Sequence, residues 1–388
     1  MATMQSEQSR FLLLLPADLS LSSIQSNYGE TVTKVLKEVA SQSAESQRGP
    51  ILEIALACPH LVDSEQTPRA QLFAQTESLV SAVYRLVCVV AARDKIDVED
   101  YQGVDVRVLL VAWSPVKPDR LGSGPYGPIV TLQALAQSRR QWKNVFSEES
   151  DAGRTLFKAF DTAKDETGNV QQNKEGQQSS IKVGSARRHY HTAVGGTFDH
   201  LHIGHKLLLT MTVFAIDNEE STSPKSMSRS ATIGITGDKL LTKKQHAELL
   251  ESWRDRQCSV QRFVDSLVNF TQDPPKVTHR DERGPNGKSV DLHYPSGLTV
   301  KCTEIQDPFG PTITEEQISA LIISAETRSG GAAVNDKRRE KGWKELEVFE
   351  IGVLQADEKE AAGDGFEGKI SSTAIRAKLA RPTKPALQ

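Results

Sequence analysis

The chain has 388 residues, 38% hydrophobic and 25% charged, with a net charge of −3 and a pI near 6.3. That length exceeds one ordinary core and implies two domains. The slightly acidic balance argues against a general nucleic-acid binder, which carries a basic surplus or stripe. The four widely spaced cysteines, Cys58, Cys88, Cys258 and Cys302, suggest neither a disulfide framework nor a zinc site and fit a reducing compartment.

In chain order, Phe11–Leu15 is an apolar run ended by Pro16. It is shorter than the ~7–15 residues of a signal-peptide core and reads as a buried strand. No stretch reaches the ~18 apolar residues of a membrane span, so no membrane partner is expected. Ile51–Ala57 and Val104–Ala112 are further Leu/Val/Ile-rich strands, and Ile24–Val39 and Gln71–Ala92 carry apolar residues at helical spacing. A helix is expected over Ile129–Phe146, resuming at Thr155–Ala163. The alternation predicts an α/β domain with parallel strands over residues 1–163. It shows no catalytic constellation. Residues 164–188 are polar and rich in Gln, Ser and Gly. They bury too little surface to offset ordering entropy and read as a flexible linker.

The second domain, residues 189–388, opens with a strand at Tyr190–Val194 and a helix at His202–Ile216. A Ser-rich loop at Ser221–Ser230 follows, then a strand at Ala231–Thr236 and a long helix at Glu248–Phe270. Asp273–Gly287 reads as a polar Pro/Gly loop. Strands are expected at Thr299–Ile305, Ala320–Ser324 and Leu346–Val353, with Val334–Lys341 part of a helix and Ser371–Arg376 a helix start. This order predicts a Rossmann-like, doubly wound parallel sheet with its ligand site at the carboxyl ends of the strands.

The loop after the first strand of that domain is GGTFDHLHIGH, residues 195–205. Gly195 and Gly196 permit a turn and close approach of a ligand. The helix N-terminus offers unpaired N–H groups and partial positive charge, which suit phosphate. His202 and His205, three apart, share a face of the first turn. Gly204 between them keeps the approach open, Thr197 adds a hydroxyl, and Asp199 is placed to cap the loop or helix. Together they form a cradle for a polyphosphate with two imidazoles beside it. Two histidines three apart also suit a metal, but no third ligand is evident, and no metal site is predicted.

The string resembles the G-T-F-D-x-x-H-x-G-H signature of the HxGH nucleotidyltransferase superfamily. The longer stretch AVGGTFDHLHIGHKLLLT is most similar to the eukaryotic, fungal-type phosphopantetheine adenylyltransferases. Ile233–Lys239, Asp307–Pro311, Ser324–Arg328 and Ile370–Arg376 resemble further family segments in the same order. The resemblance implies transfer of AMP from ATP to 4′-phosphopantetheine, giving dephospho-CoA and pyrophosphate in coenzyme A biosynthesis. It implies catalytic roles for His202, His205 and Thr197, and ATP phosphate contacts from Gly195, Gly196, Phe198, Gly204, Ser371, Ser372 and Thr373. It implies substrate contacts from Arg328 and from one of Lys239, Lys243 and Lys244. Mg²⁺ would enter with ATP as the substrate complex. The protein is expected in the cytoplasm, with the nucleus also open to it and a complex with other coenzyme A enzymes compatible. Gly287-Lys288-Ser289 mimics the end of a Walker A loop, but position 282 is Glu, so no kinase domain is expected. Two other readings stand beside the first. One keeps the adenylyl or cytidylyl transfer with a different phosphorylated acceptor. The other is a catalytically inactive scaffold.

Overall fold

The computed structural model describes residues 8–16, 24–42, 48–99, 101–116, 126–165, 186–218, 228–271, 273–352 and 371–380. The protein is α/β, as its alternation of apolar runs predicts, with two sheets. The first contains β1 (Arg10–Leu15), β2 (Ile51–Ala57), β3 (Asp105–Ala112), β4 (Ile129–Thr131) and β5 (Trp142–Ser147) in the order β4-β3-β2-β1-β5. Every pairing is parallel. Central β2 is buried along its whole length, which is why it is apolar at every position but Glu53 rather than alternating. Helices α1 (Ile24–Ser41), α2 (Arg69–Asp94), α3 (Leu132–Ala136) and α4 (Asp151–Asp165) complete this half. By length and hydropathy α2 passes as a membrane span, contrary to expectation, but 61% of its most apolar window is buried inside the fold.

The second sheet has the order β12-β11-β6-β7-β10-β9-β8. Its strands are β6 (His191–Gly196), β7 (Arg229–Thr236), β8 (Lys276–Asp281), β9 (Lys288–His293), β10 (Leu298–Ile305), β11 (Ala320–Ser324) and β12 (Glu347–Ile351). The helices are α5 (Ile203–Phe214), α6 (Trp253–Val268), α7 (Arg328–Glu340) and α8 (Ser372–Leu379). The five strands β12, β11, β6, β7 and β10 are parallel. The chain runs outward from β6 through β7 to β10, then returns to the other side of β6 for β11 and β12. That reversal opens a crevice at the carboxyl ends of β6 and β11.

Several expected boundaries change. Ile129–Phe146 is not one helix but strand β4, the short helix α3 and strand β5. Thr131 caps α3 by accepting from the Ala134 amide at 3.0 Å, and the β-branched and aromatic residues on either side suit strands. The expected loop Asp273–Gly287 contains β8, which forms an antiparallel hairpin with β9, itself antiparallel to β10. The second sheet is therefore mixed at one edge; Pro274 and Pro275 disguised the alternation that follows them. Helix α6 begins at Trp253 instead of residue 248, because Ser252 accepts from the Asp255 amide and caps it. Helix α7 runs from Arg328 to Glu340 and includes most of the helical segment expected at Val334–Lys341. Of the expected linker, Lys164 and Asp165 complete α4 while residues 166–185 lie outside the described residues, as do 221–227 of the Ser-rich loop and Val353.

One hydrophobic cluster runs through both halves. It contains Phe73, Val80 and Val83 of α2 together with Leu207, Met211 and Phe214 of α5. Phe73 packs on Phe349 with ring centroids 4.5 Å apart and on Phe214 at 6.4 Å. Arg140, beside β5, donates to the buried Glu53 at 2.8 Å and to the Asn269 carbonyl of the second half at 3.1 Å.

Candidate active site

A cavity of about 620 Å³ lies over the carboxyl ends of β6, β7 and β11. Gly195, Gly196 and Thr197 form its floor, and His202, Gly204 and His205 one wall. Ser371, Ser372, Thr373 and Arg376 form another wall, with Lys244 at its rim. The distant motifs quoted from the sequence thus meet in one place. Both glycines belong to the end of β6, paired with Gly234 and Ile235. A Cβ at Gly195 would meet open space, whereas one at Gly196 would press within 3.1 Å of the Phe198 ring. Gly195 therefore keeps the cavity open and Gly196 admits Phe198.

Phe198 does not line the cavity. It is buried, and its ring sits 5.3 Å from that of His205, supporting the histidine from behind. Phe198 and His200 both adopt left-handed backbone, at φ 53° and 46°. Such a turn costs roughly 1–3 kcal/mol per non-glycine residue and persists only where its surroundings over-determine it. They do so here. The His200 amide donates to Glu251 at 2.7 Å, and the Glu251 amide donates to Asp199 at 2.9 Å.

His202 is the N-cap of α5 but makes no side-chain cap bond. Its ring stacks on His205, centroids 3.9 Å apart and planes 22° from parallel. A Cβ at Gly204 would lie 3.2 Å from the His202 ring, so the glycine makes room for the stack. Burial, reinforced by Lys206 and His200, pushes His202 down to about 3. Burial and the neighbouring His202 and His200 hold His205 well below its ordinary value. Both rings are neutral at pH 7. Both Nδ1 atoms are buried without a hydrogen-bond partner. Unsatisfied buried polar atoms are costly.

The opposite wall is held by a buried ion pair. Arg376 of α8 donates to Asp199 through Nη1 and to the Gln245 carbonyl through Nε at 3.0 Å. Ser372 donates to the Asp199 carbonyl at 2.8 Å. Asp199 thus caps neither its own loop nor α5; it fastens the histidine loop to α8. Ser371 caps α8 by accepting from the Ala374 amide at 3.2 Å. This capped end lines the same cavity as the two histidines.

Arg256 of α6, fully buried, was missed by motif reading. It donates to the carbonyls of Thr197 at 2.6 Å, Thr236 at 2.8 Å and Glu251 at 3.0 Å, and to Asp238 at 2.6 Å. It clamps the ends of β6 and β7 together. The available signal was its place on the apolar face shared by Trp253, Val260 and Phe263, where a charged residue needs partners. Of the three lysines left open, Lys244 lines the cavity; Lys239 and Lys243 are exposed away from it. Arg328 is also exposed and pairs bidentately with Glu350, at 2.7 and 2.5 Å, rather than lining the cavity. Among the described residues, no three His, Cys, Asp or Glu side chains converge as metal ligands.

A family model described as "Domain of unknown function (DUF8446)" matches residues 1–185. An uncharacterized protein of Schizosaccharomyces pombe is 35% identical over 190 residues, 49% of this chain and 48% of that protein. A phosphopantetheine adenylyltransferase of Saccharomyces cerevisiae is 32% identical over 200 residues, 52% of each chain. The chain thus spans about half the length of these two relatives. A protein of the same name from Methanothermobacter thermautotrophicus is 29% identical over 190 residues, covering 49% of this chain and 85% of that protein.

Proposed function

We propose that the protein is a pantetheine-phosphate adenylyltransferase, transferring AMP from ATP to 4′-phosphopantetheine. One observation carries the reading: the stacked, neutral His202–His205 pair faces the capped start of α8 across one cavity, fastened by Asp199 and Arg376. The names of the yeast and archaeal relatives support this choice of acceptor.

In this reading a phosphate oxygen of the acceptor attacks the α-phosphorus of ATP. A new P–O bond forms, the bond to the β-phosphate bridging oxygen breaks, and pyrophosphate leaves with the electron pair. The acceptor phosphate is already ionised at pH 7, so no strong base is required. The site must align the reactants and stabilise charge on the phosphate oxygens. Neutral imidazoles at positions 202 and 205 serve as hydrogen-bond donors, the amides at the start of α8 receive phosphate oxygens, and Lys244 supplies positive charge at the rim. Mg²⁺ arrives bound to ATP as part of the substrate.

The test is pyrophosphate release by the purified chain with ATP, Mg²⁺ and a panel of phosphorylated acceptors. Release with 4′-phosphopantetheine alone is expected. Release with a different acceptor would keep the chemistry and change the substrate. No release with any acceptor, from folded protein that binds ATP, would favour a scaffold.

A further inference from the structure

Three walls of the cavity are tied to the N-terminal half, each through one acidic side chain. Lys206, the residue after His205, is buried and donates to Asp105 Oδ1 at 2.6 Å and to the Val106 carbonyl at 3.1 Å, both on β3. Asp105 also accepts from Arg107 at 2.5 Å, so one carboxylate balances two cations. Burial pushes Asp105 up, but Arg107 and Lys206 overcome this and hold it below its ordinary value. Lys378, further along α8, donates to Asp97 at 2.6 Å. On the third wall, the Gly352 amide donates to Glu77 of α2 at 3.2 Å.

A buried ion pair is weak evidence of stability, since apolar residues of similar volume often do as well. What it adds is direction. The Lys206 ammonium has two acceptors on one strand, and this fixes how far α5 slides and turns against β3. An apolar side chain would leave that freedom. Misplacement of reacting groups by a fraction of an ångström to one ångström is costly in rate.

We propose that the N-terminal half is a positioning element for the site, with Lys206 the positioning residue that seats His202 and His205 through Asp105. The rate readout rests on the adenylyl-transfer reading; the spectroscopic readout does not. In the full chain, Asp105→Asn, Lys206→Met and the double variant are compared. The double variant removes both charges, and Arg107 retains the field of Glu53, so it carries the test if a single variant fails to fold. The expected result for folded protein is kcat for pyrophosphate release lowered on the order of tenfold or more, with KM for ATP within about twofold. The His202 and His205 imidazole proton resonances are expected to shift in the absence of substrate. Lys378→Ala removes the ammonium that Asp97 accepts from, and is expected to raise KM for ATP about two- to fivefold.

Wild-type kcat per folded molecule with unshifted imidazole resonances in the double variant would make Lys206 a structural tether and overturn the proposal. An unchanged KM in Lys378→Ala would remove α8 from it. If the wild-type chain releases no pyrophosphate with any acceptor, the adenylyl reading fails, and the resonances alone decide the positioning role.

Discussion

At the residue scale the candidate site is lined by two imidazoles that burial holds below their ordinary titration range. His205→Ala is expected to lower the rate of pyrophosphate release about 10²–10³-fold, the usual cost of removing one preorganised donor from a charge-developing site. A rate within twofold of wild type would remove His205 from the chemistry. The same burial predicts an acid sensitivity. In the unfolded chain a histidine titrates near its ordinary value of 6.5, while His202 is held at about 3 and His205 well below 6.5. Below pH 6.5 the unfolded state binds more protons. Stability is therefore fully present above that value and is lost as pH falls toward 3, by about 1.4 kcal/mol per pH unit for each histidine. Urea unfolding from pH 7 to pH 4 is expected to show a shallower loss in a His202→Gln/His205→Gln variant than in wild type. Parallel curves would show that the two rings titrate normally in the fold.

At the scale of elements, the Asp199–Arg376 pair decides whether α8 belongs to the site. Arg376→Met leaves the Asp199 carboxylate buried with its ionic partner removed, and is expected to cost about 3–5 kcal/mol. Adding Asp199→Asn to that variant is expected to recover much of the loss. Urea midpoints of the two variants read this directly, and equal midpoints for wild type and Arg376→Met would contradict it. Both residues sit inside motifs visible in the sequence, yet their pairing was not. They are 177 positions apart, and only the return of the chain across β6 brings them together. Arg256 was hidden for a related reason: its partners are mostly backbone carbonyls, which leave no mark in the sequence. Arg328 is the converse case. A motif placed it near the phosphates, but the start of α7 turns it toward Glu350.

For the whole molecule, the shared core predicts cooperative unfolding of both halves. Calorimetry of the full chain is expected to show a single transition, since Phe73 of α2 packs simultaneously on Phe214 and Phe349. Phe73→Ala is expected to cost about 3–5 kcal/mol and to lower that one midpoint. Two resolved transitions, only one of them moved by the substitution, would show instead that the halves fold separately.

The sequence by itself determined the α/β class and most of the strand runs. Parallel strands buried on both faces are rich in Leu, Val and Ile rather than alternating, as β1, β2 and β3 are. It also carried the local glycine–histidine spacing, in which a Cβ at Gly196 would press on the Phe198 ring and one at Gly204 on the His202 ring. Local signals failed where a cap or a partner strand overrode periodicity, as in residues 129–147 and the β8–β9 hairpin. Tertiary structure alone decided that Lys244, and neither Lys239 nor Lys243, reaches the cavity. It alone decided that Phe198 supports His205 from behind, and that Asp105 lies against Lys206. Those outcomes depend on distances between segments far apart in the chain, which are set only when both sheets close on their common core.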